Sequence, residues 1–418
     1  MPRARRQGMP LPGAVGLTDR PDELRELTGA IASALGRTVR LAGNRLERLV
    51  DRDPYHVAPY RGYGTARRVL VQGRVLEDEG LQPADPARSD WRNLLDALRR
   101  LESDPLPHAR LRAHAGGAAH ELVADDEGFF RQWIDLPETL APGTAGWHPV
   151  SLDLVSTPSP TPNVSAPVLV PPSDAAFGVV SDLDDTVLQS EVRHFLRAAR
   201  LVLLENARTR LPFPGVAAFY RALHAGSSNA STEGHGNPLF YVSSSPWNLY
   251  DVISDFLGHQ GIPAGPLLLR DWDLGPALLR TRAHKEQLMV ELFETYAALP
   301  FILVGDSAQE DPEIYAAMVE RFPGRVLAVY IRNVHPHPER SAAIQTLADR
   351  VLKAGSSLVL ADDTLAAARH AAEHGWIADG ALPEIGGEKR DDTTGPAKVD
   401  APGVDPDAAG PTLVVEET

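Results

Sequence analysis

From about residue 168 the chain alternates short apolar runs with stretches of helical spacing. The runs FGVVSD, PLFYVSSS, PFILVGDS, RVLAVYIRN and SSLVLADD are each too short for a buried helix. They suit parallel strands covered on both faces. Alternation of this kind predicts an open, mostly parallel α/β sheet over residues 168–378, with ligands taken at the carboxyl ends of the strands. Upstream the period changes. RRVLVQGRVLE places Val69, Val71 and Val75 on one face, and FFRQWIDL and WHPVSLDLV alternate similarly, with ADDEG as a turn before the first of these. One helical stretch, DWRNLLDALRRLE, interrupts them. Residues 55–155 therefore predict a small antiparallel β domain, sandwich-like. The Ser/Thr/Pro-rich STPSPTPNVSAP, 156–167, is expected to be a linker. Residues 1–54 begin basic and include a helical pattern of Leu24, Leu27, Ile31 and Leu35 after the capping pair Thr18 and Asp19. Residues 379–418 are acidic, rich in Pro and Gly, and without periodicity, the composition of a disordered tail.

Composition narrows the function. The 418 residues include no cysteine, which excludes disulfides and thiolate metal sites. A net charge of −15 argues against a nucleic-acid partner. An anionic substrate would need a local positive focus, from a metal or a few placed cations. MPRARRQGMPLPGAVGL lacks the apolar core of a signal peptide, and no apolar run approaches the length of a membrane span. The expectation is a cytoplasmic chain without a transmembrane segment, with peripheral contact at a membrane surface left open.

Candidate chemistry gathers at three strand ends. The first apolar run closes on Asp182-Leu183-Asp184-Asp185-Thr186, the second on Ser243-Ser244-Ser245, and the third on Gly305-Asp306-Ser307, with Asp311 five residues after Asp306. The helical TRAHKEQLMVELFETY lies between the last two and carries Lys285 near its beginning. A parallel sheet aligns all three ends on one edge. Three aspartates in four positions repel one another and are costly to desolvate. A cation or a reaction would account for them, and helix capping is the plainer account. Asp185 reads as a cap or supporting residue. Arg282 is the fallback for Lys285. Asp362-Asp363-Thr364 lacks the D-x-D spacing and reads as a helix cap, and HPHPE at 335–339 reads as a loop. No G-x-S-x-G is present to make the serines a nucleophile elbow.

A DxDxT run, a strand-end Ser, a helical Lys and a GDxxxxD run, in this order, resemble the haloacid dehalogenase superfamily, with its Rossmann-like sheet. Within it, SDLDDTV, FYVSSSPWNLYD, GPLLLRDWD and HKEQLMVELF…FILVGDSAQEDPEIY are similar to the family of the fungal actin-patch-associated phosphatidate phosphatase, which has bacterial members and a lipin-like catalytic domain. The resemblance is strong over about 165–345. PYRGYGT resembles, less specifically, the region that precedes the catalytic domain in bacterial members. The resemblance implies Asp182 as nucleophile, forming an aspartyl-phosphate, and Asp184 as general acid and base. It implies Mg²⁺ held by Asp182, the carbonyl of Asp184 and Asp306. Ser243 is implied on a phosphate oxygen, with Ser244 as the one-residue alternative and Thr186 beside them. Lys285 is implied as the neutralising cation, and Asp311 as support for the metal or for Lys285.

The substrate class rests on weaker signals. SEVRHFLRAARLVLLENARTRLPFPGV carries Arg193, Arg197 and Arg200 on one helical face, either an ordinary surface or a cationic rim for an anionic headgroup. Short insertions between the motifs imply an open site, which favours phosphatidate or a similar anionic lipid. The same chemistry on a soluble phosphomonoester or phosphoprotein is the first alternative. A non-catalytic lipid- or protein-binding module that kept the fold is the second.

Overall fold

A computed structural model describes residues 55–77, 104–139, 146–156, 163–183, 214–227, 236–270, 281–334, 337–394 and 413–415. The predicted helices near residues 19–36 and 90–102 lie outside the described residues, as do Asp184, Asp185, Thr186 and the arginines of 190–213.

Seven strands form the first sheet: β1 (Tyr55–Gly64), β2 (Arg68–Glu77), β3 (Arg110–Ala115), β4 (Ala118–Val123), β5 (Phe129–Asp135), β6 (Trp147–Leu154) and β7 (Val164–Leu169). Their order is β4-β3-β6-β7-β1-β2-β5, antiparallel except for the parallel pair β1–β7. Strand β3 shows why the pattern folds this way: Leu111, Ala113 and Ala115 are buried while Arg110, Arg112 and His114 face solvent. Gly116 and Gly117 turn it into β4 with φ of 55° and 76°, the positive pair a two-residue primed turn requires. Here the sandwich expectation is corrected. Pairing of β1 with β7 joins the hairpins into a single sheet, and its edges approach where Gln132 Nε2 donates to Glu121 O at 3.4 Å. The linker expectation is corrected as well, because β7 falls within 156–167 and beyond. Ala166 and Val168 enter the first core by simple alternation, which the Ser/Pro composition conceals.

The second sheet holds β8 (Gly178–Asp182), β9 (Leu239–Pro246), β10 (Leu267–Arg270), β11 (Phe301–Asp306), β12 (Val326–Arg332), β13 (Ser357–Ala361) and β14 (Leu413–Val415). The order is β10-β9-β8-β11-β12-β13-β14, parallel throughout except for the antiparallel β14. Successive strands step to opposite sides of β8, the kind of crossing point at which open sheets bind ligands. Alternate residues feed two apolar layers. Val179, Tyr241 and Ile302 meet α1 (Val216–Ala225), α2 (Tyr250–His259) and α6 (Thr364–Glu373). Val180, Phe240 and Leu303 meet α3 (Thr281–Thr295), α4 (Asp311–Arg321) and α5 (Pro338–Lys353). Asp363 caps α6 by accepting from Ala366 N at 2.9 Å, the role its sequence suggests.

The expected disordered tail begins later than residue 379. Residues 379–381 form a short 3-10 turn and Leu382–Thr394 form α7. Ile385 is fully buried, Glu388 accepts from Ala218 N at 2.9 Å, and Lys389 pairs with Asp363 at 2.5 Å. Gly386 and Gly387 are poor helix formers, so tertiary contacts rather than propensity hold this helix.

The two sheets are joined through the PYRGYG stretch of β1. The ring of Tyr60 stacks on Tyr250 at 3.8 Å, and Arg61 N–H donates to the Tyr250 hydroxyl at 2.7 Å. Arg61 Nη1 reaches Ser254 Oγ at 2.8 Å. On the other helical layer, Tyr63 OH and Arg131 both donate to Glu291 of α3, each at 2.5 Å. Burial first, and Glu291 second, push the Tyr63 phenol well above its ordinary pKa, so it stays a neutral donor. Losing a hydrogen bond to a charged acceptor costs about 1.5–3 kcal/mol. Tyr63→Phe leaves Glu291 its Arg131 partner, so denaturant unfolding is expected to show a loss at the lower end of that range. Unchanged stability would mean that this hydroxyl does not brace the sheets.

Candidate active site

Three parallel strands end side by side, and their final residues converge. Asp182 closes β8, Ser243 lies in β9, and Asp306 closes β11. Asp311, at the first position of α4, folds back over that edge. Carboxylate oxygens of Asp182, Asp306 and Asp311 lie within 4.8 Å of one another. From α3, Lys285 Nζ approaches Asp182 Oδ1 at 2.7 Å, Asp311 Oδ1 at 3.4 Å and Gln309 Oε1 at 3.3 Å. The side chains of Lys285 and Asp182 are only 5% and 3% exposed, so these charges interact with little screening by water. Arg282, the fallback cation, instead lies 4.0 Å from Glu310 on a more exposed surface.

Local geometry explains the GD pair. Asp306 N–H donates to Asp311 Oδ2 at 3.1 Å, which draws that side chain against Gly305. A Cβ on Gly305 would lie 2.5 Å from Asp311 Oδ2 and 2.9 Å from the Tyr315 ring, so only glycine permits this approach. Asp306 Oδ1 in turn accepts from Ala308 N at 2.7 Å and Gln309 N at 3.2 Å. Behind the nucleophile candidate, Ser181 Oγ and Tyr220 OH are 2.6 Å apart in the core, and burial raises the Tyr220 phenol above its ordinary pKa. Tyr315 OH donates to Val304 O at 2.9 Å and fixes α4 to β11.

Among the sequence-derived candidates, Asp182, Lys285, Asp306 and Asp311 come together. Ser243 is fully buried, donates from Oγ to Ser245 Oγ at 2.6 Å, and accepts from Ser245 N at 3.0 Å. Its hydroxyl thus ties Ser243 to Ser245 near the carboxyl end of β9, and Ser244 between them is the less buried residue. Gln309 and Tyr220 join the site without having been singled out. Gln309 lies inside the GDxxxxD run, whereas Tyr220 sits on an ordinary amphipathic helix with no local signal.

Among these four side chains three carboxylates gather around one ammonium, an excess of acidic groups. A buried excess of that kind is costly without a cation. Hard oxygen donors in a small cluster fit Mg²⁺, which takes a few carboxylates and completes its shell with water or phosphate oxygens.

Strand-end aspartates thus surround an inward lysine at one edge of a parallel sheet. The segment 177–333 matches the family described as "Phosphatidate phosphatase APP1, catalytic domain". It is similar to "Phosphatidate phosphatase APP1" of Saccharomyces cerevisiae, 28% identical over 164 residues, or 38% of this chain and 26% of that protein. An uncharacterized protein of Schizosaccharomyces pombe, C29B5.04c, is 27% identical over 161 residues, or 38% of this chain and 25% of that protein. The chain thus spans about a quarter of the length of these curated relatives. Among solved structures, a carbohydrate acetylesterase from Xanthomonas citri is 14% identical over 71% of this chain and 75% of its own, with a TM-score of 0.23, too slight to bear on the fold. No helix among the described residues is long and apolar enough to cross a membrane.

Proposed function

We propose that the protein is a Mg²⁺-dependent phosphatase that hydrolyses phosphatidate, or a similar lipid phosphate, through an aspartyl-phosphate. The buried group of Asp182, Lys285, Asp306 and Asp311, within an APP1-like catalytic segment, supports this most directly. Asp182 attacks phosphorus, forming a carboxylate–phosphorus bond as the ester P–O bond to the glycerol oxygen breaks. Asp184, two residues on, gives its proton to the departing alkoxide. The same group then takes a proton from water as it displaces phosphate from Asp182. Lys285 neutralises charge on the nucleophile and the transferring group, so the transition state meets a preorganised cation. Asp182, Asp306 and Asp311 would hold Mg²⁺, with the carbonyl of Asp184 as a further donor. The ion supplies charge neutralisation at the phosphoryl oxygens. Ser244 and the backbone at the carboxyl end of β9 would supply donors to the phosphate, with Thr186 as a further donor, while the Ser243 hydroxyl bonds to Ser245.

The test is phosphate release by the purified full chain from phosphatidate in mixed micelles, beside a panel of water-soluble phosphomonoesters. Release from phosphatidate that requires Mg²⁺ is the expected result. Activity confined to soluble esters removes the lipid from this reading, and no release from any ester removes the enzyme.

A further inference from the structure

Arg340 lies in the first turn of α5, beyond the family-matched segment, yet its guanidinium reaches the loop that carries Asp306. Nε donates to Ser307 O at 2.9 Å and Nη2 to Gln309 O at 2.5 Å. The same fork grips Glu313 of α4, through Nη1 to Oε1 and through Nη2 to Oε2 at 3.0 Å. Burial pushes the Glu313 carboxyl up, but its bonds from Arg340 outweigh this and hold it below its ordinary pKa.

These contacts give the loop an inner and an outer fastening. On the inside, the Ala308 and Gln309 amides point at the Asp306 carboxylate, and Gln309 Oε1 accepts from Lys285. On the outside, the Ser307 and Gln309 carbonyls point at Arg340. The Ser307 carbonyl and the Ala308 amide belong to one peptide plane, so a rotation that broke the outer bond at Ser307 would also turn the Ala308 N–H away from Asp306. The five donors of a guanidinium lie in one rigid plane and serve two carbonyls and a carboxylate together. A lysine in the same place supplies the charge but not the fork.

We propose that Arg340 is a positioning residue that holds the 306–310 loop, and thereby Asp306 and Gln309, in the geometry that binds the divalent cation. This rests on the reading that Asp182, Asp306 and Asp311 hold such an ion.

Binding of Mn²⁺ to the full-length protein, followed by electron paramagnetic resonance with Mg²⁺ as competitor, tests it without reference to activity. Arg340→Lys is expected to weaken Mn²⁺ binding about 10-fold, the usual scale for residues that orient metal ligands. Thermal unfolding of the metal-free variant should stay close to that of wild type, and kcat on phosphatidate should recover at saturating Mg²⁺ with KM for the lipid unchanged. Glu313→Gln loosens one arm of the fork and is expected to shift Mn²⁺ affinity in the same direction by a smaller factor, a second route should Arg340→Lys fail to fold. Wild-type affinity in both variants overturns the positioning role and leaves the metal site standing. Absence of Mn²⁺ binding in the wild type overturns the metal reading and this inference with it.

Discussion

Asp182→Asn is expected to reduce phosphate release from phosphatidate to background, a loss of roughly 10⁴-fold or more, as is usual when an attacking group is removed. The substitution keeps the shape of the side chain at the end of β8 and removes only the charge and nucleophilicity of its oxygen. Asp182 is almost fully enclosed and lies 2.7 Å from Lys285, so the amide inherits a site built for an anion. Lys285 keeps a carboxylate partner in Asp311 at 3.4 Å, which argues that the variant folds. Acid quenching of the wild type during turnover should trap phosphate on the protein, and the variant should trap none. Residual activity within tenfold of wild type would mean that another group attacks phosphorus.

Lys285→Met should produce the second largest effect, and it should be visible in stability as well as in rate. The ammonium sits among carboxylates that lie within 4.8 Å of one another and are shielded from water. Removing one partner of a buried charged pair costs about 3–5 kcal/mol, because the remaining charges stay desolvated and unopposed. The variant is therefore expected to melt well below wild type in a chelator. Mg²⁺ should restore more stability to it than to wild type, since the ion meets a more negative site. Its rate should nevertheless remain reduced about 10²–10³-fold at saturating Mg²⁺, the scale for removing one preorganised group that stabilises transition-state charge. Melting curves with and without Mg²⁺ check the first part. Identical melting of variant and wild type in chelator would show that the aspartates are not held together by this lysine.

The apolar runs announced β8, β9, β11, β12 and β13 because a strand covered on both faces must be apolar at nearly every position. β10 is four residues long, too short for any period to show. In the first sheet the individual strands were legible but their assembly was not. β2 is buried at almost every position because Val69, Val71 and Val75 face one core while Leu70 faces another. Nothing local in its sequence names that second partner. The parallel pairing of β1 with β7 joins segments about a hundred residues apart, and no repeat or turn signal marks it. At the site, Asp182 and Asp306 were legible from their place at strand ends, and Lys285 from its order among the motifs. The direct hold of Asp311 on the Asp306 amide depends on how α4 leaves the sheet. Arg340 lies 33 residues from the Ser307 carbonyl it binds, and no local pattern joins the two.

Tyr60, Arg61 and Tyr63 carry a consequence for where this protein can be cut. Tyr60 belongs to the apolar layer of α1, α2 and α6, and Tyr63 to that of α3, α4 and α5, so a strand of the first sheet completes both layers of the second. The matched stretch 177–333 also leaves out α5, α6 and α7, whose residues fill the same layers. The borders of that match cut across both apolar layers. Excised at those borders, the stretch would present two opened cores to water, with aromatic sockets at Trp247, Tyr250 and Tyr296 stripped of the rings that now fill them.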